Sequence, residues 1–125
     1  MKKINTDKAA PAIGSYSQGI CSGNLLFTSG QIPVNPETGN IPEGLDAQVR
    51  QVMENLKAIA EAAGTDLANT VKTTCFLADM SDFARFNEIY SEYFIGKPAR
   101  SCVAVKTLPK NVLVEAEAVI ELARP

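Results

Sequence analysis

Leu113-Val114-Glu115-Ala116-Glu117-Ala118-Val119-Ile120-Glu121-Leu122 is the stretch whose reading decides the fold. Val114, Ala116, Ala118, Ile120 and Leu122 fall on one side of a period-two pattern, and Glu115, Glu117, Val119 and Glu121 on the other. Such alternation describes a strand with one dry face. Working outward, residues 100–105 and the β-branched run 71–77 are short enough to be strands as well. Between them Phe83, Phe86, Tyr90, Tyr93 and Phe94 recur at helical spacing, which assigns that aromatic stripe to the core. This helix is expected to begin at Ser81 or Asp82, whose side chains can accept from an orphan backbone N–H. A longer helix spans residues 47–63, with Val49, Val52, Met53, Leu56, Ile59, Ala60 and Ala63 on one stripe and Gly64 as a left-handed cap. Upstream, residues 17–21 and 25–32 flank Ser22-Gly23-Asn24 and read as a hairpin, while residues 33–44 form a loop with Pro36 and Gly39 as turn formers. The order β-β-α-β-α-β-β, without internal repeats, gives an α+β domain over residues 1–125, a single mixed β-sheet with two helices packed on one face. In this register the other face carries Arg100, Cys102 and three glutamates, and it needs water or another subunit opposite it.

Composition narrows the chemistry. A chain of 125 residues that is 46% hydrophobic and 21% charged is one globular domain able to fold without disulfides or a structural metal. It has no histidine, which excludes Ser-His-Asp and Cys-His nucleophiles, the usual zinc ligand sets and an imidazole base. Cys21, Cys75 and Cys102 are odd in number and widely spaced, as suits a reducing cytoplasm. The N-terminus lacks a signal-peptide core, and no apolar run approaches the ~18 residues of a membrane span. A net charge of −2 argues against nucleic acid as a partner, since phosphate binding calls for a basic surplus.

The candidate site residues each admit two readings. Arg100 follows Pro98 at the start of a strand, where its planar fork is a receptor for a carboxylate or else a solvated surface cation. Glu115, Glu117 and Glu121 form the wet face of an edge strand, or, if that face is covered, supply a carboxylate that holds and polarises a water. Tyr16, in a polar segment before the hairpin, stacks on a ligand or clamps its loop. Gly30 within an apolar strand marks a bulge or a close approach to the backbone, and Ser29 beside it has no base to activate it, so it suits hydrogen bonding. Cys102 is a packing residue or a thiol near a cation.

Several segments together resemble the Rid family of reactive intermediate deaminases, also called YjgF or L-PSP, and in particular its archetypal deaminase subgroup. They are Ala12-Ile13-Gly14 with Tyr16-Ser17-Gln18-Gly19, Thr28-Ser29-Gly30-Gln31-Ile32-Pro33, Val71-Lys72-Thr73-Thr74, Phe86-Asn87 with Tyr90, Pro98-Ala99-Arg100-Ser101-Cys102-Val103, Leu108-Pro109 and Glu115-Ala116-Glu117-Ala118. The resemblance implies a chorismate-mutase-like fold, a homotrimer with ligand clefts between subunits, and no cofactor. It implies hydrolysis of 2-imino acids (2-iminobutanoate, 2-iminopropanoate), the products of pyridoxal-phosphate-dependent dehydratases, to 2-keto acids and ammonia. By position, Arg100 would bind the carboxylate and Glu115 the attacking water, with Tyr16, Ser29, Gly30, Asn87 and the backbone at Cys102 lining the cleft. Two departures stand out: Ser15 replaces a frequent proline, and the connection at residues 94–98 is short. Ribonuclease or translation-inhibitor activity, attached to some relatives, and non-catalytic carboxylate sensing are the alternatives.

Overall fold

The computed structural model describes residues 1–123. Six strands form one mixed sheet: β1 (Lys2–Ile4), β2 (Gly19–Ser22), β3 (Leu25–Thr28), β4 (Thr70–Leu77), β5 (Ala99–Ala104) and β6 (Val114–Glu121). Their spatial order is β1-β2-β3-β6-β4-β5, with β4 and β5 parallel and the other neighbours antiparallel. The architecture read from the sequence holds, with one addition. β1 pairs with β2 through Lys2↔Cys21 and Ile4↔Gly19. Three residues are too few to show a period, so this strand exists by virtue of the edge it docks on.

β6 lies between β3 and β4 and carries the alternation into space, its four small or aliphatic residues fully or nearly buried. The helix α1 (Leu45–Ala62) lays Val49, Val52, Met53, Leu56 and Ile59 on that face, all fully buried. Each such side chain contributes roughly 1.5–3 kcal/mol by leaving water. Gly64, at φ 83, ends α1: its N–H donates to Glu61 O and that of Thr65 to Ala60 O, which satisfies two orphan carbonyls. The second helix, α2 (Phe83–Tyr93), packs beside α1 and buries Phe86, Ile89 and Tyr90. Its entry differs from expectation. A 3₁₀ turn at Met80–Asp82 precedes it, and Asp79 rather than Ser81 or Asp82 supplies the side-chain cap, accepting from Ser81 N at 2.8 Å. Among the described residues no helix is long and apolar enough to cross a membrane.

Strand register overturns the expected placement of Arg100 and Cys102 beside the glutamates. Thr73 pairs with Arg100 and Cys75 with Cys102, and the side chains of Thr73 and Cys75 point into the helix-covered face. Phe76 pairs with Glu115 and Thr74 with Glu117, so the glutamates leave by the open face. Because successive residues of β4 alternate sides, Arg100 and Glu115 of one chain stand on opposite faces of the sheet. The parallel pairing of β4 and β5 sets this phase, and periodicity within either strand does not reveal it.

Three buried amides that the sequence reading passed over hold the loops in place. Gln18 accepts from Thr6 N at 2.7 Å and donates to Thr6 O and Ala10 O, so the segment leading to Tyr16 is tied down. From α1, Asn55 donates to Val34 O at 3.0 Å, while Gln48 donates to Pro42 O and accepts from Leu113 N. These bonds lace the 33–44 loop to the helix. For Asn55 and Gln48 the signal in the sequence is a polar residue on an apolar stripe, which has to find partners once buried.

Candidate active site

β3 stops at Thr28, and the expected strand to Ile32 is interrupted. The register with β6 slips by one residue between Phe27↔Val119 and the isolated bridge Gln31↔Ala116, so Ser29–Gly30 holds a bulge. The Ser29 hydroxyl donates to Ser17 O and its N–H to Gln18 O at 2.9 Å, which fixes the bulge against the segment behind Tyr16. Gly30 then meets Glu115. A Cβ at position 30 would collide with Glu115 Oε2, so the missing side chain is what makes room for the carboxylate. Both sequence readings of Gly30 apply, and the close approach comes from the chain's own glutamate.

Glu115 sits half-buried on a central strand, not on the wet edge that one reading allowed. Burial raises its pKa above the ordinary 4.5, and the neighbouring Glu117 charge adds to the effect. A carboxylate of this kind holds a proton more readily than an exposed one and suits general acid-base work nearer neutral pH. Gly30, which abuts Glu115, also lines a cavity of ≈ 490 Å³ together with Ile13, Tyr16, Ile32, Val34 and Lys110. Tyr16 is 54% exposed, with its hydroxyl accepting from Ile13 N at 3.4 Å. One testable consequence concerns Gly30→Ala. The clash falls on the far end of a flexible side chain, so stability should fall by less than about 1 kcal/mol while the displaced carboxylate costs about 10²-fold in turnover. Urea unfolding and steady-state kinetics on the same preparation check both halves.

The guanidinium of Arg100 is held from the other side. Its Nη1 donates to Asn87 Oδ1 at 2.6 Å, and its Cζ lies 4.8 Å from the Tyr90 ring centroid and 5.3 Å from that of Phe83. The two other arginines for which ion pairs form, Arg50 and Arg85, bond Glu92 and the Asp46/Glu88 pair. Among the described residues no carboxylate lies within 4.0 Å of Arg100. A cavity of ≈ 370 Å³ opens here, lined by Asn87, Tyr90, Ser91, Phe94, Lys97 and Arg100, without an acidic side chain. Arg100 is therefore neither a salt-bridged nor a freely solvated arginine. Its positive charge is supported by π faces and an amide oxygen, and among the described residues no carboxylate pairs with it.

The six candidate ligand residues thus separate into two groups. Gly30 meets Glu115, Ser29 precedes it in the bulge and Tyr16 lines the same cavity as Gly30, whereas Asn87 and Cys102 accompany Arg100 on the far face. Cys102 is half-buried against the core, and burial pushes its thiol pKa up despite the nearby Arg100, so it is not an activated thiol. Cys75, its partner in register, is buried and pushed up to about 12. Phe83 and Tyr90, assigned to the core as part of the aromatic stripe, have a second role under Arg100 that helical spacing could not reveal. Among the described residues no group of three or more His, Cys, Asp or Glu is placed to hold a metal ion.

The family model described as Endoribonuclease L-PSP matches residues 6–122. The chain belongs to the L-PSP family. Within the family it is 51% identical over 122 residues to the 2-iminobutanoate/2-iminopropanoate deaminase of Escherichia coli K12, covering 94% of this chain and 95% of that one. Two solved L-PSP structures have the same fold throughout. The YjgF gene product of Escherichia coli superposes with a TM-score of 0.93 at 49% identity, over 97% of this chain and 98% of that one. Escherichia coli TdcF, solved with bound serine, gives 0.94 at 46% identity, over 98% and 100%.

Proposed function

We propose that this L-PSP protein hydrolyses small 2-imino acids to 2-keto acids and ammonia in clefts shared between copies of the chain. Arg100 from one copy binds the substrate carboxylate, and Glu115 from its neighbour places a water on the adjacent imine carbon and carries protons to the departing ammonia. The observation that carries this reading is the unpaired Arg100 guanidinium, fixed by Asn87 and two rings and facing an acid-free cavity. A bidentate fork needs a planar anion opposite it, and a 2-imino acid provides one beside its electrophilic carbon. Similarity to a named deaminase over nearly the whole chain supports the same reaction. Attack by water gives a tetrahedral carbinolamine, and proton transfer from oxygen to nitrogen then expels ammonia and leaves the keto acid. Nothing in these steps calls for a cofactor.

The opposite placement of Arg100 and Glu115 supports assembly, since one chain cannot direct both at one ligand. The open face, with Phe27 and Val103 exposed beside Phe76 and Val119, offers apolar surface for a second copy. A closed homotrimer with three equivalent clefts fits both features. Substrate would come from pyridoxal-phosphate-dependent dehydratases, whose eliminations release such imines.

Mixing two variants, each impaired on its own, at substrate well below the wild-type KM tests the reading. Co-refolding Arg100→Ala with Glu115→Gln should restore about a quarter of wild-type activity, because a quarter of randomly assembled clefts then pair an intact Arg100 with an intact Glu115. Activity is followed as keto-acid and ammonia formation when the protein is added to a threonine dehydratase reaction. Mixtures no more active than the variants alone would sink the shared cleft. Wild type that accelerates neither product would sink the deaminase. The ribonuclease named in the family description has less support here, given a net charge of −2 and no histidine.

A further inference from the structure

The contacts beneath Arg100 form an ordered series. Thr73 on β4 is the residue in register with Arg100 on β5, and its Oγ1 lies 2.7 Å from the Tyr90 hydroxyl, both groups buried. Tyr90 in turn stacks on Phe94, with centroids 4.6 Å apart and planes inclined by 29°, and touches Phe86 at 5.6 Å. The Tyr90 ring is therefore gripped at its hydroxyl and along one side. The guanidinium of Arg100 occupies its neighbourhood at 4.8 Å, with the half-buried Phe83 ring at 5.3 Å. Asn87 closes the arrangement by accepting from Nη1 at 2.6 Å.

We propose that Tyr90 and Phe83 are positioning residues whose π faces set the plane of the Arg100 guanidinium, so that its fork already faces the incoming carboxylate. This rests on the reading of Arg100 as the substrate anchor. A free arginine samples many rotamers and loses that freedom when it binds. One supported by two π faces and an amide oxygen has lost it during folding, so ordering costs less at the moment of binding. The guanidinium keeps the same partners before and after the chemical step, so the clamp acts on ground state and transition state alike. Its removal should appear in KM and leave kcat nearly unchanged. A ring that is only core packing would show instead as a lowered melting temperature with unaltered ligand affinity.

The test compares wild type, Tyr90→Leu, Tyr90→Phe and Phe83→Leu in two measurements, steady-state turnover of 2-iminobutanoate and calorimetric affinity for 2-oxobutanoate as an unreactive carboxylate. The Leu variants are expected to raise KM and Kd about 3- to 30-fold with kcat within about twofold of wild type. Tyr90→Phe keeps the π face and should restore both constants to within about threefold. Leu variants that melt lower but bind 2-oxobutanoate as tightly as wild type overturn the clamp. If Tyr90→Leu does not fold, Phe83→Leu at the rim of the cluster decides by the same readout. Wild type that binds 2-oxobutanoate yet hydrolyses no imine defeats the deaminase reading alone, and the Kd series then decides the clamp. Wild type without affinity for 2-oxobutanoate overturns both.

Discussion

Glu115→Gln is expected to lower kcat for 2-iminobutanoate hydrolysis by about 10²- to 10⁴-fold while KM changes little. The amide occupies the same space beside Gly30 and can still hydrogen-bond a water, but it cannot take up a proton. Wild-type kcat should fall toward acid as Glu115 is protonated, with the midpoint above the ordinary 4.5 because burial and Glu117 both raise its pKa. The Gln variant should lack that limb. Stability runs the other way. A carboxyl with a raised folded-state pKa favours the fold fully below 4.5, and this contribution is lost as pH rises through the folded value. At neutral pH the ionised group is therefore a burden, and the Gln variant should melt no lower than wild type. Turnover across pH, with thermal melts on the same samples, checks both signs. An unchanged kcat would remove Glu115 from the mechanism.

Arg100→Ala should raise KM by about 10- to 150-fold, the loss of about 1.5–3 kcal/mol from a charge-assisted bond to the carboxylate. Arg100→Lys should recover little, because an ammonium cannot present two parallel donors and lies less well on the Tyr90 and Phe83 faces. Asn87 would also be left without its donor, so both variants should lower melting temperature slightly. The dehydratase-coupled assay reads KM, and equal kcat/KM for wild type and Arg100→Ala would disprove the anchor. The two variants should thus fail differently, one in turnover and the other in affinity.

Both helices and the buried side of β6 were legible in the sequence because each follows a local period, and four further strands because short β-rich runs stand between turn residues. Gly64 was legible for a similar reason, since a glycine directly after a helical stripe takes up the left-handed cap without the steric cost a Cβ would bring. The missed features all depend on partners distant in the chain or on the turn that precedes a helix. Asp79 displaced Ser81 and Asp82 as the cap because a 3₁₀ turn intervened, and β1 needed the edge of β2. Gln18, Asn55 and Gln48 gained their roles only when loops folded over them.

The amino-acid order by itself determined the α+β class, the candidate residues and the exclusion of imidazole chemistry. These follow from composition, from spacing within segments, and from a resemblance carried by short motifs. Only the tertiary structure decided on which side of the sheet each candidate acts. The phase of β5 against β4 is set by hydrogen bonds between strands more than twenty residues apart, and a shift of one residue would move Arg100 to the other face. The same pairing brings Thr73, Tyr90 and Phe83 together beneath the guanidinium, and the bulge at Ser29–Gly30 places a bare backbone against Glu115.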